Sequence, residues 1–453
     1  MTIRHLIRSS VGISLIVTLT AACEPGAGTT AYVGAEVFDG TGAPLLMDAV
    51  ILVKDGRIEA VGPATSIAVP KGAVEVRIDG KWVIPGLIDG HTHIERWTLG
   101  RFLGYGVTTV RDMGGILDSV IALREAVSLG STLGPRMFIA GAMIDAAPAT
   151  WPSAIQVGTT TEGRAAIDRL VLLDVDQAKI YTKVDRPLLE AITDEANVLN
   201  LPLAAHLGRV DALTAARLGI RFLEHMSGVV EATATDRGRY IAAHNDFFGG
   251  WNLQERTWSS LDSAALDRTA RELVQLGVSI VPTLTFHEVW ANLTNPRFIE
   301  RLDLSAVPET VRQDWDIPDL IWRADLDEQQ FQAFRRARPY QDRFVRMFHR
   351  LGGSVIAGSD APNQLLAPGA SLHDEMALLV RAGLLPRDAL LAATGTTARL
   401  LGADSIGVLR AGALADFVIL NANPLEDIRN SRNIDRVVYR GVAYTPAELR
   451  ERP

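Results

Sequence analysis

Apolar and polar positions follow two rhythms along this 453-residue chain. Near both ends they alternate over short runs broken by turns. Residues 31–38, 49–54, 57–61 and 74–79 read as strands, with Lys54-Asp55-Gly56-Arg57 as a hairpin signal. After Gly407 the texture returns at 416–420 and 436–439, followed by a turn at Arg440-Gly441. Between these ends, nearly continuous apolar runs alternate with helical periodicity. The runs cover 82–89, 106–111, 136–140, 178–181, 202–206, 221–224, 278–283 and 353–358. Segments 116–129, 161–173, 186–199 and 209–218 repeat apolar residues at helical spacing. Strands buried on both faces, each followed by a helix, predict a parallel sheet, and eight such units predict a closed barrel. The expected class is α/β, a (β/α)8 TIM barrel over 81–401, with a small β-sandwich built from both termini, 31–80 and 402–453.

Two connections exceed a plain strand-to-helix loop, 229–275 and 284–350, and long excursions in compact domains commonly form lids or binding loops. They hold five of the eight tryptophans: Trp251, Trp258, Trp290, Trp315 and Trp322. Two readings stand side by side, an aromatic lid over a pocket and the private core of a helical insertion.

Composition narrows the function. Hydrophobic residues at 47% and charged ones at 22% suit a globular protein, and a net charge of -8 with no basic stripe excludes a nucleic-acid partner. At the N-terminus Arg4 and Arg8 precede an apolar segment, 11–19, too short to span a bilayer, and then Thr20-Ala21-Ala22-Cys23. Residues 1–22 therefore read as a signal peptide and 23–30 as a flexible tether. The lone cysteine resembles the lipidated residue of a bacterial lipoprotein. That resemblance implies an exported protein, periplasmic or at the cell surface, that meets the membrane only through an anchor at Cys23. Secretion after Ala22 is the plainer alternative. A single cysteine forms no disulfide within one chain.

The chemistry sits at the ends of the predicted barrel strands, the face that carries active sites in such barrels. His91 and His93 follow the first strand. Side chains at i and i+2 of a strand point the same way, so the pair aims two imidazoles at one point. Lys179 stands inside the apolar run Ala178-Lys179-Ile180-Tyr181, a costly position for an ammonium unless it is paired or chemically altered. Leu203-Ala204-Ala205-His206 and Phe222-Leu223-Glu224-His225 each end in a histidine, and Gly358-Ser359-Asp360 ends in a carboxylate. A lone histidine is usually just a satisfied polar residue. Four histidines, one lysine and one aspartate on a single rim make a metal centre the better explanation.

These stretches carry a resemblance. PGLIDGHTH, GVTTVRDMGG, AKIY, AAHLG, LEH, GSDAP and the C-terminal GVLRAGALADFVILNANPL resemble the amidohydrolase superfamily, in its branch of imidazolonepropionase-like proteins and metal-dependent Xaa-Pro and Xaa-basic dipeptidases. The likeness spans nearly the whole chain after the tether, apart from the two long excursions. It implies two divalent metal ions, zinc by default. His91 and His93 would bind the more buried one, His206 and His225 the other, and Lys179, carboxylated to a carbamate, would bridge them. Asp360 would be both a ligand and the proton shuttle, while a hydroxide between the metals attacks the scissile carbonyl. Imidazolonepropionase itself has one metal and lacks the lysine, so Lys179 points to the dipeptidase-like subgroup. The implied substrate is small, a dipeptide or an N-acyl amino acid. Alternatives are a hydrolase of cyclic amides, lactones or organophosphates using the same centre, and a surface-anchored binding lipoprotein on an inactive barrel. Tyr181, Arg209 and His287 are candidates for substrate contact, and His373 is expected to be structural. Oligomeric state is left open, a homo-oligomer being compatible with the sequence.

Overall fold

A computed structural model describes residues 28–451. The expected signal peptide and Cys23 lie outside the described residues.

Both ends of the chain build one sheet of eight strands. Thr30–Val37 pairs antiparallel with Leu46–Lys54, which pairs with Arg57–Pro63. From the other end, Phe417–Leu420 pairs antiparallel with Ile434–Tyr439, which pairs with Val442–Tyr444. Trp82–Pro85 joins the halves, parallel to Thr30–Val37 and antiparallel to Phe417–Leu420, and Val74–Arg77 is the eighth strand, parallel to Thr30–Val37. Alternate residues of these strands, among them Tyr32, Ile51, Val83, Phe417 and Ile419, bury a core of their own.

The apolar run 82–89 is therefore two strands, Trp82–Pro85 and Leu87–Thr92, and not one. The break is at Gly86. Its N–H donates to Asp416 O in the terminal sheet, and a Cβ there would lie 2.1 Å from Thr108 Oγ1. Both halves are buried, so hydrophobicity runs unbroken through the point where the chain leaves one sheet for another.

The remaining strands are parallel. Leu87–Thr92, Val107–Asp112 and Arg136–Ile139 form a three-stranded sheet. Ala178–Ile180, Leu203–Ala205, Phe222–Glu224, Ser279–Val281 and Ser354–Val355 follow one another in a second sheet of seven. Its other two members, Ile144–Ala146 and Ile155–Val157, escape the sequence pattern, because three-residue strands separated by Pro148 and Pro152 leave no period to read. The first and last strands are neighbours: Gly90 N–H donates to Ala357 O and His93 N–H to Ala361 O.

Helices close the units as the periodicity predicts. Leu117–Ser128, Thr160–Leu172, Arg186–Val198 and Ala212–Leu218 each bury one stripe, in Arg186–Val198 through Leu188, Leu189, Ile192 and Ala196. Thr159, Asp185 and Asp211 cap three of them by accepting from backbone N–H groups of the first turn. Among the described residues no helix is long and apolar enough to cross a membrane.

Both long excursions are helical. The second ends in Glu328–Arg350, whose Phe331 and Phe334 pack with Trp251, Trp290 and Ala361. The tryptophans divide between the two expected roles. Trp258 lies in the main core against Phe344, and Trp315 packs partly buried within the insertion. Trp251 reaches the histidines described below, whereas Trp322 is 78% exposed.

Candidate metal centre

Parallel strands end on a common edge, and this edge gathers the predicted residues. His91 closes Leu87–Thr92, with His93 just beyond it. His206 follows Leu203–Ala205, His225 follows Phe222–Glu224, and Asp360 lies past Ser354–Val355. Ligand atoms of His91, His225 and Asp360 lie within 4.8 Å of one another. Asp360 Oδ1 is 3.3 Å from His91 Nε2 and 3.2 Å from His93 Nε2. The His206 ring centre is 4.7 Å from that of His225, which is 4.6 Å from that of His91.

The local backbone is bent to bring this about. His225, Thr283 and Asp360 all adopt left-handed conformations, with φ of 57°, 45° and 60°. Aspartate tolerates this, but for a β-branched threonine it is an outlier, and each such residue costs on the order of 1–3 kcal/mol. Strain of this kind, gathered at strand ends that share one cluster, marks a functional edge more than a structural one.

Each imidazole is oriented from behind. His91 Nδ1 lies 2.6 Å from Glu224 Oε2, and His93 Nδ1 lies 2.7 Å from Gly114 O. A carbonyl only accepts, as does an ionised carboxylate, so both Nδ1 atoms carry the proton and both Nε2 atoms present a lone pair to Asp360. His225 Nδ1 meets Thr283 Oγ1 at 2.7 Å. Burial holds His206 and His225 well below the ordinary imidazole value, which keeps them neutral.

Glu224 and Arg111 are the residues that sequence reasoning missed. Arg111 NH1 donates to Glu224 Oε1 at 2.9 Å, with both side chains fully buried. Burial opposes ionisation of Glu224, yet Arg111, then Lys179 and His91, hold it down at about 2. A signal was available. Arg111, like Lys179, is a charge inside an apolar run, and an acid as buried as Glu224 calls for such a partner. Asp89 is a third buried carboxylate, accepting from Ser359 Oγ at 2.6 Å and so tying the first strand to the last.

Lys179 is buried in its short strand. Desolvation lowers its ammonium to about 8, only partly offset by Glu224 and Asp360. Tyr181 follows on the same strand, its ring centre 5.0 Å from that of His206 and its hydroxyl accepting from Trp151 Nε1 at 2.8 Å. Arg209 is half-buried just past His206, its N–H bonding Thr182 O. His287 is not at the cluster. It is fully buried behind Trp251, stacked on it at 5.3 Å, with Nδ1 3.0 Å from the Glu255 carboxylate. His373 holds Tyr105 O and Ser431 Oγ together, a structural role.

A bound cation fits this donor set. Asp360 Oδ1 is buried and makes no directed hydrogen bond, although two imidazole nitrogens stand within 3.3 Å of it. Three groups that face one point without bonding each other are placed for a shared partner.

Known proteins share this fold. A segment of 108 residues is 36% identical to the imidazolonepropionase of Stenotrophomonas maltophilia (strain R551-3), covering 22% of this chain and 26% of that one. The chain thus matches about a quarter of that relative's length. The crystal structure of a putative prolidase from Bifidobacterium longum superposes with a TM-score of 0.68 at 24% identity, over 93% of this chain and 95% of that one. A bottromycin amidohydrolase superposes with a TM-score of 0.71 at 22% identity, over 93% and 88%. The family model matches residues 82–443, and the chain belongs to the amidohydrolase family.

Proposed function

We propose that the chain is a metal-dependent hydrolase that cleaves the C–N amide bond of a dipeptide or N-acyl amino acid. The convergence of His91 Nε2 and His93 Nε2 on an unbonded Asp360 Oδ1 carries this reading. His91, His93, His206, His225 and Asp360 would hold two divalent ions, zinc by default, bridged by a carboxylated Lys179. Divalent ions so held polarise a scissile carbonyl and make water acidic enough to attack near neutral pH.

The chain's own residues supply the rest. Asp360 is to be ionised: burial alone opposes this, but cations held against its carboxylate would favour the charged form. It can therefore accept a proton from the attacking water and return it to the leaving nitrogen. Glu224 and Gly114 O fix the tautomers of His91 and His93, so that neither ring rotates away. The lowered value of Lys179 leaves more of its amine neutral, the form that combines with carbon dioxide to give a carbamate and a proton.

The two parallel sheets are read as one eight-unit barrel. The hydrogen bonds from Gly90 to Ala357 and from His93 to Ala361, which join its first and last strands, support this. The terminal strands are read as a β-sandwich beside it, and the protein as exported and anchored through Cys23. Mass spectrometry of the mature N-terminus tests the anchor, since an unmodified Cys23 rules it out.

For the reaction, metal content is measured alongside hydrolysis of a dipeptide and N-acyl amino acid panel. About two zinc equivalents, amide cleavage, and a drop of about a thousandfold or more in kcat for Asp360→Asn are expected. Turnover of lactones or phosphotriesters without any amide cleavage overturns the assignment, as does full activity in Asp360→Asn.

A further inference from the structure

The chemistry above uses none of the aromatic side chains packed beside the cluster. Tyr181 stacks on Phe247, ring centres 6.0 Å apart and planes within 21°. Phe247 lies 5.8 Å from Trp151, and on the far side Phe286 lies 5.5 Å from Trp251. This surface meets the histidines directly. Phe247 and Trp251 are 5.9 and 5.4 Å from His206, and Phe286 is 5.9 Å from His225. Tyr181 and Trp251 are buried, but Trp151, Phe247 and Phe286 keep part of their rings open. Trp151 Nε1 donates to Tyr181 Oη, and Trp251 Nε1 is buried without a hydrogen-bond partner, so Phe247 and Phe286 supply the purely apolar ring faces of the wall. Phe247 and Trp251 come from the first long insertion and Phe286 from the second.

Two cations stand at the same strand ends, Lys183 after Tyr181 and Arg209 after His206. Neither forms an ion pair among the described residues; the Lys183 ammonium donates to Pro148 O at 2.9 Å. Open ring faces would suit a cationic side chain as well as an aromatic one. Positive charge carried on the same strand ends would repel that cation and attract the α-carboxylate of an amino acid.

We infer that this wall selects the leaving amino acid, and that the substrate class is an amide whose C-terminal residue is aromatic. Its side chain lies against Phe247 and Phe286 while its carboxylate faces Arg209 and Lys183. This rests on the amide-hydrolase reading and adds the identity of the residue released.

The test uses the metal-loaded chain with N-acetyl derivatives of phenylalanine, leucine, alanine, lysine and glutamate. In parallel, binding of free phenylalanine, alanine and lysine, which carry no acyl bond to cut, is followed by tryptophan fluorescence. Phenylalanine is expected to exceed alanine and lysine by ~10-fold in kcat/KM. Phe247→Ala should bring that ratio towards one at unchanged metal content, and Phe247→Tyr should restore it. Hydrolysis with equal ratios, or with lysine preferred, overturns the inference and leaves the amide-hydrolase reading standing. If no amide is cut, that reading fails and binding decides. Phenylalanine held more tightly than alanine and lysine by wild type but not by Phe247→Ala supports the wall, and equal binding removes it.

Discussion

Glu224 Oε2 and His91 Nδ1 meet at 2.6 Å in a place where neither side chain sees solvent. The other carboxylate oxygen takes the Arg111 guanidinium at 2.9 Å, so one acid connects a buried cation to the candidate metal centre. Glu224→Gln keeps the shape but can offer its N–H₂ group to His91, which favours the wrong tautomer. Metal affinity is expected to fall about 10–100-fold, the usual effect of losing a partner behind a ligand. Metal titration monitored by competition with a chelator checks it, and unchanged affinity would mean that His91 needs no orientation from behind.

Lys179 raises a different question, whether its amine or a modified form matters. Lys179→Ala should lose most of its bound metal and its turnover. Formate or acetate added at millimolar concentration should partly restore both, because a small carboxylate can stand in the space the longer side chain leaves. Wild-type metal content without any additive removes the carbamate from the account. Intact-mass measurement under gentle conditions gives a second view of the same modification.

Much of this was legible before any coordinates. The eight apolar runs lie where strands form, and the strand-end residues His91, His93, His206, His225 and Asp360 meet in one cluster because a period of two and a shared strand direction leave little freedom. The split at Gly86 was hidden, since burial on both sides erases the polar break that marks a strand end. Glu224 and Arg111 went unread for a related reason, each being one charged residue in an apolar context whose partner is 113 positions away. His287 misled because sequence proximity to a strand end says nothing about a ring turned back behind Trp251.

His373 gives a prediction in pH. Its imidazole is buried, with Nε2 on Tyr105 O and Nδ1 on Ser431 Oγ. Burial first, then the charge of Arg432, lowers it to about 3. In the unfolded chain it would titrate near about 6.5. The folded state therefore binds fewer protons than the unfolded one between these values. The stability it confers is complete above about 6.5 and falls by ~1.4 kcal/mol per pH unit below that. Denaturant unfolding at pH 7 and pH 5 should show His373→Gln losing less stability than wild type on acidification. A parallel loss in both would mean that another group governs the acid limb.

Gly90 tests whether the parallel strands close upon themselves. Its N–H donates to Ala357 O at 2.8 Å, across the junction between the first and last strands. A Cβ there would sit 2.1 Å from Ile356 Cγ2 and 2.9 Å from Ala357 O, so the two strands approach too closely for any side chain. Gly90→Ala must therefore open this junction, and overpacking of that kind costs typically ~1–3 kcal/mol. The same opening shifts His91 relative to Asp360, whose backbone N–H is bonded to His91 O. Thermal unfolding and metal titration on the same preparation should thus move together, both weakened. Gly80→Ala, at a turn where a Cβ would meet nothing within 4 Å, should lose some stability through its φ of 70° and keep its metal affinity. A Gly90→Ala protein with normal metal affinity would mean that the strand junction and the ligand cluster are not mechanically joined.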